Sequence, residues 1–124
     1  MTRVASLPVL DRLSDEVLLL DGGAATFLQC RGLSPGCPPD LWSVERPEEV
    51  RRLHEAYIEA GADIIFTNTF GANRLRLDPF GWRNRVAELN RVAVSLARAA
   101  AHGKALVAGD IGPCRPVAGT FRRI

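Results

Sequence analysis

The sequence has 124 residues, enough for one ordinary domain and too few for two. Hydrophobic residues make up 47% and charged residues 24%, which excludes a disordered or collagen-like chain. Sixteen basic residues against fourteen acidic ones leave a net charge of +2, too near balance to argue for nucleic acid, and no apolar run approaches the about 20 residues of a membrane span.

Glu16 to Leu20 (EVLLL) is a continuous apolar run stopped by Asp21-Gly22-Gly23, the pattern of a strand buried on both faces. Thr26 to Gln29 suits a helical turn, and Gly32 to Asp40 (GLSPGCPPD) concentrates loop residues. Pro47 opens a helix to about Ala60. Glu48 and Glu49 stand in its first turn, Val50, Leu53, Tyr57 and Ala60 recur along one face, and Gly61 is placed as its cap. Ala62 to Phe66 (ADIIF) is a second strand ending in Thr67-Asn68-Thr69. Gly71 to Gly81 reads as a connection. From Trp82, the residues Val86, Leu89, Ala93, Leu96 and Ala100 mark one face of a long helix ended by Gly103. Ala105 to Ala108 (ALVA) is a third strand, closed by Gly109-Asp110, and the arginines beyond Pro113 show no pattern that completes another helix.

Three strands alternating with two helices predict right-handed crossovers and a parallel sheet. A (β/α)8 TIM barrel spends about 31 residues per unit, so the chain fits about three units of the N-terminal portion of one. An open doubly wound sheet also begins this way, but the first turn lacks a GxGxxG fingerprint, which favours the barrel.

Ligands in parallel α/β folds bind beyond the carboxyl ends of the strands, where this sequence places Asp21, Thr67-Asn68-Thr69 and Asp110. Asp21 with Gly22 and Gly23 combines a fixed charge with backbone N–H groups, which suits an α-amino acid. The same three residues also suit a plain turn, and spacing does not choose between the two. Cys30, Cys37 and Cys114 are odd in number and in no structural zinc spacing, and they read as ordinary thiols. Arg3 precedes a mixed stretch reaching Asp11 without an apolar core, so a cytoplasmic chain is expected. His54 reads as a packed structural histidine, His102 as a helix-end cation, Trp42 and Trp82 as packing anchors, with an approach of Trp42 to the mouth as the alternative, and Arg74 and Arg76 as a solvated rim, with a position facing an anionic donor as the alternative.

The segments LLLDGG (Leu18 to Gly23), LWSVERPEEV (Leu41 to Val50), YIEAGADIIFTNTFGANRLRL (Tyr57 to Leu77), ELNRVAV (Glu88 to Val94) and ALVAGDIGP (Ala105 to Pro113) resemble the N-terminal part of a homocysteine S-methyltransferase domain. TNTFGANR (Thr67 to Arg74) is the most specific of them, and its TNTF form points toward the methionine-synthase branch. The resemblance implies a barrel that binds homocysteine and zinc at its C-terminal face, with Asp21, Gly22 and Gly23 in the substrate site and Asn68, Thr69 and Asp110 lining the same mouth. It implies as methyl donor methylcobalamin or a methyltetrahydrofolate-derived methyl group, and as partners the remaining part of the barrel or a cobalamin-binding domain. Ala24, Ala25, Cys114 and Arg115 depart from the family's usual residues. The family's zinc ligands are a late cysteine and a paired cysteine, which none of Cys30, Cys37 and Cys114 matches. Residues 1–124 are therefore expected to be a partial barrel ending before those ligands and inactive alone; the alternative is a non-catalytic partial barrel that docks with a complementary fragment.

Overall fold

The computed structural model describes residues 8–114, so the expectations for Arg3 and for Arg115 onward lie outside the described residues. In chain order the elements are α1 (Pro8–Leu13), α2 (Ala25–Gln29), α3 (Trp42–Glu45), α4 (Pro47–Glu59), β1 (Ile64–Phe66), α5 (Arg74–Leu77), α6 (Val86–Ala101) and β2 (Leu106–Ala108). Short 3-10 turns lie at Pro39–Leu41, Asp78–Phe80 and Arg83–Arg85.

The two long helices follow their sequence signals closely. In α4, Pro47 sits where its missing N–H costs nothing, and Val50, Leu53 and His54 are buried. Gly61 takes φ +105°, the left-handed conformation a capping glycine supplies. Along α6, Leu89, Ala93, Ala97 and Ala100 form the buried face, and the small alanines let Ile65 of β1 pack against Ala97 and Ala101. The left-handed end of α6 begins one residue before the expected glycine, with His102 at φ +41° followed by Gly103 at +74°.

Strands β1 and β2 pair in parallel, with Ile64, Ile65 and Phe66 opposite Leu106, Val107 and Ala108. The first apolar run departs from expectation. It forms only an isolated parallel bridge, Leu20 to Ile64, and it is not buried on both faces: Val17 is 86% exposed, and Leu19 and Leu20 are each 56% exposed. Asp63 limits the pairing: its carboxylate takes the Leu19 N–H at 2.9 Å while its other oxygen pairs with Arg12 at 2.9 Å, a side chain standing where ladder bonding would run. The Asp21 N–H still reaches the Ile64 carbonyl at 3.0 Å, so the run lies beside β1. The order Leu20, β1, β2 is that of consecutive parallel βα units.

Helices α1, α3 and α5 were not anticipated, because four to six residues are too few for periodicity to register. The Asn73 side chain caps α5 by accepting the Arg76 N–H at 3.1 Å. One apolar cluster gathers Leu28, Leu33, Trp42, Val50 and Leu53, and a second joins Leu41, Ala72, Leu77 and Leu89 beneath the loop after β1.

Candidate functional site

At the C-terminal ends of Leu20, β1 and β2 the chain forms one cavity of about 700 Å³. Asp21, Gly22, Asn68, Thr69 and Asp110 all line it, whereas Gly23 does not. Gly23 acts from behind: its carbonyl accepts the Tyr57 hydroxyl at 2.9 Å, and a Cβ on Gly22 would lie 3.1 Å from that hydroxyl. Gly22 thus lets the loop after Asp21 press against α4, while a Cβ on Gly23 would lie 2.9 Å from Thr26 Oγ1 of α2.

The segment after β1 joins the three strand ends. Asn68 Nδ2 donates to the Pro39 carbonyl at 2.9 Å and to Ser43 Oγ at 3.2 Å, tying the segment to the preceding loop. Thr67 Oγ1 accepts the Asp110 N–H at 3.1 Å, and Thr69 Oγ1 donates to the Asp110 carbonyl at 2.7 Å. Because the Thr69 hydroxyl hydrogen is spent on that carbonyl, Thr67 is the donor in the 2.7 Å contact between the two hydroxyls. Gly112 passes so close to Phe70 that a Cβ would meet its carbonyl oxygen at 2.1 Å.

The polar atoms that bond the loops together are thereby committed to protein, and the cavity's charge comes from other groups. Three carboxylates line it, Asp21, Asp40 and Asp110, with Arg76 as the one cation among the described lining residues. Asp21 accepts the Phe66 N–H at 3.0 Å. Burial nevertheless raises its pKa above the ordinary carboxylate value, and the Asp110 charge adds to the rise. Asp40 is only 4% exposed and accepts the Gly71 N–H at 2.8 Å; burial raises its pKa too. Asp40 is the site residue that sequence reasoning missed, because it closes a Gly/Pro-rich stretch that reads as loop. Its one signal was an acidic residue directly before the apolar pair Leu41-Trp42.

The remaining candidates fall as follows. Trp42 is a core residue under the Arg46 guanidinium, 4.9 Å from its ring centroid, and Trp82 packs on the second cluster. His54 is 1% exposed, as a packed histidine should be, but neither ring nitrogen has a hydrogen-bond partner among the described residues. Burial lowers its pKa to about 4. Arg74 is exposed on α5, whereas Arg76 reaches the cavity and lies 5.9 Å over the Phe70 ring.

Cys30, Cys37 and Cys114 are exposed free thiols. Among the described residues no cluster of three or more His, Cys, Asp or Glu side chains is arranged to hold a metal ion. The described residues therefore do not fit a zinc site by themselves. No described helix is long and apolar enough to cross a membrane.

The sequence signature of homocysteine S-methyltransferases matches residues 18–120. The chain is 34% identical over 119 residues to methionine synthase of Mycobacterium tuberculosis, covering 85% of this chain and 10% of that protein. It is 41% identical over 113 residues to betaine–homocysteine S-methyltransferase 1 of Xenopus laevis, covering 83% of this chain and 27% of that protein. The metallated form of the homocysteine methyltransferase MmuM from Escherichia coli superposes with a TM-score of 0.73 at 32% identity, over 87% of this chain and 42% of that one. The chain thus spans from 10% to 42% of the length of these relatives.

Proposed function

The chain belongs to the homocysteine S-methyltransferase family, and from that premise we propose that it supplies the amino-acid-binding end of a site where homocysteine is methylated to methionine. The observation carrying this reading is the single cavity that gathers Asp21, the segment after β1 and Asp110 at the ends of parallel elements. In the reaction the homocysteine sulfur forms a bond to the methyl carbon, and the donor departs with the electron pair of the bond that breaks. The part assigned to this chain is orientation. Asp21 receives the α-ammonium, Gly22 offers its backbone beside it, and Asn68, Thr69 and Asp110 give the mouth its shape. The full arrangement is read as a (β/α)8 barrel in the cytoplasm, of which these residues form about the first three units.

Zinc belongs to that reading as the group that would favour the thiolate, with its ligands outside the described residues. The methyl donor, methylcobalamin or a methyltetrahydrofolate-derived group, and any cobalamin-binding domain are likewise placed outside this chain. The 124 residues alone are proposed to be inactive.

The test is a chimera joining residues 18–114 to the part of the Escherichia coli relative that follows its matched region. A folded, metal-loaded chimera should form methionine from homocysteine, and failure to bind homocysteine would overturn the reading. A second reading, a non-catalytic partial barrel that docks with a complementary fragment, is favoured by the exposed apolar residues Val17, Leu19, Leu20 and Ile111. A fragment-bound complex that does not bind homocysteine would select it.

A further inference from the structure

Asp40 is the most deeply buried carboxylate among the described residues, and it has no ion pair with any described cation. Its oxygens meet the Gly71 N–H at 2.8 Å and a hydrogen bond from its own backbone. Gly71 is fitted to it, since a Cβ there would lie 2.9 Å from Asp40 Oδ2. Keeping a charged carboxylate out of water is costly, and tying one backbone N–H needs only a neutral carbonyl, which Asn offers in the same shape. An ionised carboxylate is retained at such a place only where its charge acts on a neighbouring group.

Two charged groups face Asp40 from the elements around it. Arg76 of α5 attracts its ionised form, and Asp110 after β2 opposes it. Arg76 forms no ion pair among the described residues and rests over Phe70, which is itself 50% exposed at the cavity. Phe70, Gly71 and Arg76 belong to one stretch of chain that walls the cavity, and Asp40 grips it once by hydrogen bond and once by charge.

We propose that Asp40 is a positioning residue, whose ionised carboxylate holds the Gly71 amide and the Arg76 guanidinium together so that the Phe70–Arg76 stretch forms the cavity's outer wall in the binding-competent arrangement. This rests on the reading that the cavity takes homocysteine. Asp40 touches no reacting atom; its effect on the ligand passes through the wall.

The experiment uses the 15N-labelled 124-residue chain as wild type, Asp40→Asn, Asp40→Ala and Arg76→Gln, with the Gly71 amide and Arg76 Nε–H resonances followed during titration with homocysteine at pH 5 and pH 7.5. Asp40→Asn keeps an acceptor for Gly71, so its thermal transition should match wild type. Its Arg76 Nε–H signal should nevertheless shift from the wild-type position as the nearby charge is lost, and homocysteine affinity at pH 7.5 should fall about five- to tenfold, with a shallower dependence on pH. Asp40→Ala should in addition shift the Gly71 amide upfield. Should the Asp40 variants unfold, Arg76→Gln, altered at an exposed residue, breaks the same grip from the other side and should show the same affinity loss. Unchanged affinity in a folded Asp40→Asn or in Arg76→Gln overturns the proposal. If the wild type shows no homocysteine-induced shifts, the titration is repeated in the folded chimera, where failure to bind homocysteine overturns the functional reading, and the Arg76 signal of Asp40→Asn against wild type still decides whether Asp40 holds the wall.

Discussion

The hydroxyls of Thr67 and Thr69 lie 2.7 Å apart and close a ring of hydrogen bonds over the backbone of Asp110: Asp110 N–H to Thr67, Thr67 to Thr69, and Thr69 back to the Asp110 carbonyl. Both threonines are buried, so each link is made without competition from water. Thr69→Val keeps the shape and removes the link, leaving the Thr67 hydrogen and the Asp110 carbonyl without their partner. The expected loss is about 1–3 kcal/mol, measured by urea denaturation, with Thr69→Ser recovering most of it. A valine variant as stable as wild type would mean that water replaces the link.

The Asp21 carboxylate is expected to anchor the homocysteine ammonium. Asp21→Asn removes the charge and keeps the shape, which should weaken homocysteine binding by about 1.5–3 kcal/mol, or one to two decades, in calorimetric titration of a folded chimera. Metal content should stay at the wild-type level, since Asp21 is not assigned as a ligand. Burial raises the pKa of this carboxyl, so the attraction exists above its titration and is lost as pH falls through it, beginning at higher pH than for an ordinary aspartate. Affinity independent of both the substitution and pH would remove Asp21 from the site.

Acid should destabilise the fold through His54. Its folded pKa of about 4 lies below the ordinary 6.5, so the unfolded chain binds a proton between these values that the folded chain refuses. Stability is full above about pH 6.5 and declines as pH falls toward 4, by a total on the order of 3 kcal/mol. His54→Leu should flatten the profile across that window. The carboxylates held below their usual range, Glu16, Glu49, Asp63 and Glu88, act in the same direction but at lower pH. Asp21 and Asp40, whose pKa values burial raises, act in the opposite direction, so the His54 contribution is the difference between the wild-type and His54→Leu profiles, and identical profiles from pH 6.5 to 4 would show that the ring finds a partner in solution.

Gly112 and Gly109 give a matched pair. A Cβ on Gly112 would sit 2.1 Å from the Phe70 carbonyl oxygen, a backbone atom that cannot swing aside, whereas a Cβ on Gly109 meets nothing within 4 Å. Gly112→Ala should therefore cost about 1–3 kcal/mol in chemical denaturation and disturb the wall at Phe70, while Gly109→Ala should stay within about 0.5 kcal/mol of wild type. Equal effects would show that the segment after β2 moves away freely.

Where the physics was local, the sequence was readable. Pro47 and Gly61 bracket α4 because ring geometry and φ preference act on single residues, and the alternation of apolar runs with amphipathic helices fixed the parallel order. The first run was misread as a buried strand because hydrophobicity reports what a residue prefers, whereas its burial depends on a covering layer that the described residues do not supply at Val17 and Leu19. The cavity was legible as a set of strand ends carrying Asp21, Asn68, Thr69 and Asp110. Asp40 was not, because its role depends on a hydrogen bond to Gly71, 31 residues away, which no local pattern encodes.

In the segment from Thr67 to Gly71, the Thr67, Asn68 and Thr69 side chains and the Gly71 amide are bonded to residues 39–43 on one side and to Asp110 after β2 on the other. No part of that rim can separate without breaking bonds shared with its neighbours. Thermal opening should therefore lift the rim as one cooperative unit rather than fray it loop by loop, and its amides should exchange hydrogen with solvent at one common free energy. On the proposed reading, a mouth built this way would admit its ligand by the fit of a standing opening, with selectivity set when the chain folds rather than when the ligand arrives.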